Sequence, residues 1–186
     1  MTADSRRSFV AWLARRRPEY RPWQRLAVLL LQAACILGVI PYAFARWSPA
    51  MDRGLHLPHL QTGLGGAVVG AVLMLAGLAF VVWAAHAQGV LGRGTWSPTM
   101  PTQRLIVRGP YAHCRNPLHF GMGVFYAGLD IWLGSPAVLA ITVLIAIALV
   151  TYDRYVEERE LAARFGEEYV AYKQRVPFVI PRWPRR

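Results

Sequence analysis

Long uninterrupted apolar runs, set apart by short arginine-rich segments, dominate the pattern of this chain. From Leu26 to about Phe44 the residues are apolar apart from Gln32, and a second run extends from Leu64 to about His86. Runs of this length cross the hydrocarbon of a bilayer as helices, at ~1.5 Å per residue. Pro41 falls near the end of the first run and marks a predicted kink. The second run is rich in glycine and alanine; Gly66 and Gly70 form a small-xxx-small pair that lets a neighbouring helix approach closely. Two shorter apolar runs follow, from Pro117 to about Leu133 and from Pro136 to about Tyr152, divided by Gly134-Ser135-Pro136. Each is shorter than a comfortable span, and Gly121, Gly123, Gly128 and Asp130 interrupt the first. This predicts a tight helical hairpin in a thinned or protein-lined region, with Asp130 at the far interface.

Beyond Tyr152 the pattern changes. Leu161, Phe165, Tyr169 and Tyr172 recur at helical spacing, while Glu157, Glu158, Glu160, Glu167 and Glu168 fall on other faces. Gly166 interrupts this helix. The final V-P-F-V-I-P-R-W-P-R-R reads as an extended strap lying back along the membrane surface. The expected fold class is all-α: a polytopic membrane protein with about four transmembrane helices, the last two a short hairpin, and a cytoplasmic C-terminal amphipathic helix. Three segments result: a basic interfacial stretch at 1–25, two transmembrane helices at 26–86, and a C-terminal core at 87–186.

Charge fixes the orientation of that picture. The 186 residues are 55% hydrophobic and carry a formal net charge of +11. The two properties are reconciled when apolar residues form spans and arginines flank them. A nucleic-acid-binding groove needs no long uncharged apolar runs, so that class is excluded. The first 25 residues are crowded with arginine and predict a basic amphipathic helix around Phe9, Trp12 and Leu13 on anionic lipid, with Trp23 as an interfacial anchor. No cleavage site follows the first apolar run, so it is expected to be retained as a transmembrane helix. The N-terminal segment, the long loop at 87–116 and the tail are basic, whereas the 46–61 connection and the hairpin turn are not. Four spans with both termini cytoplasmic satisfy this distribution, and an inner bacterial membrane is the expected setting.

Candidate chemistry is concentrated in R-L-I-V-R-G-P-Y-A-H-C-R-N-P-L-H-F-G at 104–121. Gly109-Pro110 and Asn116-Pro117 mark turns, and Pro117 suits the first position of the next helix. That helix start directs free N–H groups and a positive dipole end toward Arg108, His113 and Arg115, which suits an anionic group or lipid headgroups. Glu157 and Glu158, opening the tail helix, bring the opposite charge to the same interface. A two-signed pocket suits a zwitterion carrying a carboxylate and an amine; the same charges also suit a solvated helix face. Cys35 and Cys114 offer no disulfide framework and no CxxC spacing, and Pro58 breaks the H-L-P-H of His56 and His59, so no metal site is expected.

The pairing of R-G-P-Y-A-H-C-R-N-P-L-H-F-G at 108–121 with E-E-R-E-L-A-A-R-F-G-E-E-Y-V-A-Y-K-Q-R-V-P at 157–177 resembles the isoprenylcysteine carboxyl methyltransferase family, which groups with the phospholipid N-methyltransferases. The similarity covers roughly Gln103 to Pro181. It implies a membrane enzyme that uses S-adenosylmethionine at the cytoplasmic interface and methylates an amphiphilic acceptor, such as the carboxylate of an isoprenylcysteine-like compound, a phospholipid, or a small amine or thiol. The resemblance implies cofactor contacts from Gln103, Arg104, Leu105 and Ile106, a lining role for Tyr111 and Arg115, and a binding corner at Asn116, Pro117, Leu118 and His119. Glu157 would take the cofactor's amino group. Asn116 replaces the family's usual histidine and His119 its usual tyrosine. Arg154 would steer a carboxylate acceptor; for an amine or thiol, His119 or His113 would serve as base. An NADPH-dependent membrane reductase and a non-catalytic membrane protein binding anionic lipid are the alternatives.

Overall fold

The computed structural model describes residues 21–92 and 102–183. The basic helix expected around Phe9, Trp12 and Leu13, the loop residue Arg93 and the last residues of the strap lie outside the described residues. Every regular element among the described residues is helical. Helix α1 (Pro22–Ala34) passes through a π turn at Cys35–Val39 into α2 (Ile40–Gly54). Pro41, which has no N–H to give to the ladder, stands directly after that wider turn, and such turns are recognised sites of helix bending. The turn also meets a partner: the Tyr126 hydroxyl donates to the Ile36 carbonyl at 2.6 Å.

Helix α3 (Gly63–Val90) has 28 residues, roughly 42 Å at the α-helical rise. Helix α4 (Pro117–Leu133) has 17, roughly 25 Å, and stays short as the sequence predicts; the run from Pro136, expected to be short too, instead opens a longer rod. Helix α5 (Pro136–Tyr152) runs through a second π turn at Asp153–Glu157 into α6 (Glu158–Arg175). The Gly166 backbone leaves the helical region there, at φ 55° and ψ −132°, as its composition predicts. Three rods are long and apolar enough to cross a bilayer: Leu26–Gly54, Gly63–Val90 and the one beginning at Pro136. Their large apolar side chains are mostly exposed, as lipid-facing helices require.

The largest interface joins α3 to α4, and it is made by glycines. A Cβ on Gly77 would stand 2.4 Å from the Phe125 nitrogen, and one on Gly128 would stand 2.6 Å from the Gly70 carbonyl. Gly70 therefore meets Gly128 while Gly77 meets Gly121, each pair of positions spaced by one heptad, so backbone lies on backbone along the whole seam. Gly66, the other half of the predicted pair, is crowded only by Thr62 of its own helix start. The contact is real but runs from Gly70 toward Gly77 rather than back to Gly66.

At one end of the bundle the buried Asp52 ties the pieces together. It accepts from the Ser135 hydroxyl at 2.9 Å and the Ala137 amide at 3.0 Å, the first turn of α5, and it binds His59 Nδ1 at 2.6 Å. A carboxylate at a helix N-terminus satisfies free amides and the dipole together. His59 is thus hydrogen-bonded to a carboxylate, and no group of metal-binding side chains occurs among the described residues. Asp130 is buried near the hairpin turn and accepts from Thr142 at 2.6 Å, across to α5.

Candidate functional site

The opposite end is built from the loop at 102–116, the start of α4, the second π turn, α6 and the strap. The strap does not simply lie outward along a membrane surface. Its extended backbone pairs with the loop: the Arg115 amide donates to the Pro177 carbonyl at 2.9 Å, the Asn116 amide to Phe178 at 3.1 Å, and the Arg182 amide to His113 at 3.0 Å. Pro177 and Pro181 lack donors, so this pairing uses carbonyls at 177 and 178 and saves the loop amides from burial unpaired. The Phe178 ring lies under two guanidinium groups, Arg115 at 5.3 Å and Arg154 at 5.4 Å. His113 is held between the Trp83 and Trp183 rings and donates from Nδ1 to the Arg182 carbonyl at 3.2 Å.

Beneath this cover is a polar cleft of about 50 Å³. Of the residues singled out in the sequence, Leu105, Ile106, Tyr111, Arg115, Asn116 and Glu157 line it together. Gln103 and Arg104 are not among the lining residues; both amides point at the Gly92 carbonyl, at 2.7 and 3.3 Å. Pro117 is buried as the first residue of α4, while Leu118 and His119 face a different cavity. Arg154 is exposed over Phe178 and lines neither space.

Charge in the cleft is unevenly matched. Arg115 is already engaged: its Nη1 pairs with Glu158 and its Nε donates to the Val176 carbonyl at 3.1 Å. Lys173 holds the other Glu158 oxygen at 2.6 Å. Yet Gln88 Oε1 and Asp153 Oδ1, both in the lining residues, are buried with no hydrogen-bond partner among the described residues. A buried acceptor without a donor costs ~1–3 kcal/mol, so two of them beside Glu157 favour a ligand that brings donors or positive charge. Tyr111 is buried; burial, and then the nearby Glu157 charge, push its phenol well above the ordinary range. It remains a neutral hydroxyl, and Tyr172 donates to its carbonyl at 2.7 Å. Burial likewise pushes the Cys114 thiol up to about 12, so it offers no thiolate.

The second space is larger and of opposite character. A cavity of about 630 Å³ lies between the first rod and the α4–α5 hairpin, lined by such residues as Ile36, Phe44, Leu118, Phe120 and Leu149. Cleft and cavity meet at one side-chain pair. His119, in the first turn of α4, lines the apolar cavity, and its Nδ1 is 2.5 Å from Oδ2 of Asp153, which lines the cleft.

A polar cleft rich in acceptors thus lies beside a much larger apolar cavity. A family model described as phospholipid methyltransferase matches residues 66–168, more than half of the chain. The chain belongs to the phospholipid methyltransferase family. The matched region of this family member holds the glycine seam, the loop, the hairpin and both π-turn acids. Curated relatives include the protein-S-isoprenylcysteine O-methyltransferases of Mus musculus and Rattus norvegicus, each 35% identical over 81 residues, and that of Homo sapiens at 33%. The similarity covers 43% of this chain and 28% of each relative's length. As a member of this family with membrane-crossing helices, the chain is an integral membrane protein.

The residues fit the methyl donor such a family uses. S-adenosylmethionine carries a sulfonium and an ammonium beside its carboxylate, and for the positive groups the cleft offers the unpartnered Asp153 Oδ1, the Gln88 carbonyl oxygen and the Glu157 carboxyl. Small-molecule sites usually measure ~300–1,000 Å³, so the cleft as it stands takes one charged end of such a molecule. Sequence reasoning missed Gln88, Asp153, Tyr169 and Tyr172 as lining residues. Asp153 carried a signal: it is the first acid after an unbroken apolar run and lies one turn before Glu157.

Proposed function

We propose that this protein transfers a methyl group from S-adenosylmethionine to an amphiphilic acceptor that enters sideways from the bilayer. The observation that carries the reading is the meeting of a polar, acceptor-rich cleft and a large apolar cavity at the His119–Asp153 pair. The donor supplies an electrophilic methyl on a positively charged sulfur. Glu157 and Asp153 would hold its positive end, with Leu105, Ile106 and Tyr111 as the apolar and aromatic wall. The apolar cavity would take the acceptor's tail and set its head group against α4. Displacement at a methyl carbon is in-line, so the protein's contribution is alignment and exclusion of water. The strap and the buried Tyr111 close the cleft from above, while Leu118 and Phe120 keep the far side dry. The arginine distribution along the sequence supports a cytoplasmic setting for the cleft and both termini.

The test is direct: membranes containing the protein are incubated with isotopically labelled methyl donor and then fractionated. The expected outcome is label in a membrane-extractable amphiphile, absent from membranes without the protein. Equal labelling in both would overturn the proposal.

A further inference from the structure

We infer that the His119–Asp153 pair accepts the proton of an acceptor whose reacting atom arrives protonated, a phenol or thiol head carried on an apolar tail. The inference rests on the methyltransferase reading and names the acceptor's chemistry. Its first ground is geometry. With Nδ1 donating to Asp153 Oδ2 at 2.5 Å, the neutral imidazole carries its lone pair on the other nitrogen. Nε2 makes no hydrogen bond among the described residues, and His119 lines the apolar cavity in which a tail would lie. Asp153 positions the ring and balances the imidazolium that forms, as the carboxylate of a catalytic triad does.

The second ground is what the cavity lacks. A carboxylate acceptor needs no base but does need a cation to offset its charge. Among the described residues no arginine or lysine lines the large cavity. Arg115 is committed to Glu158 and Arg154 lies over Phe178, outside both spaces. What faces the junction instead is the Asp153 carboxylate, which repels an anion and tolerates a neutral head. In the step itself, the head group's proton passes to His119 Nε2. The electron pair released on oxygen or sulfur forms the bond to the methyl carbon, and the pair of the breaking carbon–sulfur bond stays on the donor's sulfur.

The first experiment needs no methyl donor. The purified protein is titrated with 4-dodecyl-2-nitrophenol, whose phenolate absorbs visibly. Bound to the native protein, the probe should ionise about one pH unit or more below the value it has on His119→Phe, because only the native ring accepts its proton. Equal ionisation on both proteins overturns the inference. The second experiment adds donor and compares 4-dodecylphenol and dodecanethiol with dodecanoate. Methylation of the phenol or thiol should fall about 100-fold in His119→Gln. Preferred methylation of dodecanoate, indifferent to that substitution, overturns it. Calorimetric binding of S-adenosylmethionine separates the two levels: absent binding removes the methyltransferase reading, whereas intact binding and transfer without dependence on His119 removes only this inference.

Discussion

Two buried aspartate–histidine pairs stand at opposite ends of the bundle, and they differ in what the second carboxylate oxygen does. Asp52 binds His59 through one oxygen and gives the other to the Ser135 hydroxyl and the Ala137 amide. Asp153 binds His119 through one oxygen and leaves the other buried and unpartnered, directed at a cleft. The first pair is complete within the fold, and its hydrogen bonds fasten the end of α2 to the start of α5. The second is incomplete until something else arrives. In a protein where unsatisfied buried acceptors are costly, the difference assigns structure to one pair and function to the other.

Substitutions that remove charge without changing shape sharpen this contrast. Asp153→Asn is expected to have the largest effect, lowering methyl transfer 100-fold or more, about 3 kcal/mol at the transition state, because it disturbs the tautomer His119 presents. Its thermal unfolding should stay near that of the native protein, since the amide still hydrogen-bonds the His119 ring. Asp52→Asn should do the reverse, lowering stability by about 2 kcal/mol in denaturant unfolding while the rate per folded molecule is unchanged. Next is Glu157→Ala, expected to weaken donor binding about tenfold by calorimetry, or ~1.4 kcal/mol, whereas the exposed Glu168→Ala leaves it unaltered. Smallest is His59→Gln: His59 is partly exposed, and an amide can still donate to Asp52, so the loss should be about 0.5–1 kcal/mol of stability.

The helices were legible because lipid demands long uncharged runs, and nothing else in the chain produces them. The short α4 and the Gly166 break followed from length and glycine placement alone, whereas the second hairpin helix, expected to be short as well, continues through the π turn into a rod long enough to cross a bilayer. The seam of α3 on α4 was only half legible: Gly66-Gly70 and Gly70-Gly77 are both plausible spacings in one helix, and the partner's glycines at 121 and 128 choose between them. The convergence of Tyr111, Asn116 and Glu157 on one cleft was visible from motif resemblance. Asp153 was not, because a lone acid at the end of an apolar run looks like an interfacial residue until the π turn rotates it inward. Arg154, its neighbour, takes the outward position that same turn leaves. The strap was legible as extended chain, but its pairing with residues 113–116 depends on backbone groups, which leave no trace in side-chain pattern.

Calorimetry of the purified protein with S-adenosylmethionine and with its demethylated product tests the account most directly. Saturable binding that weakens in Glu157→Ala and persists in Glu168→Ala is the predicted result. Heat no different from buffer dilution for both ligands, from protein that still unfolds cooperatively, would contradict it.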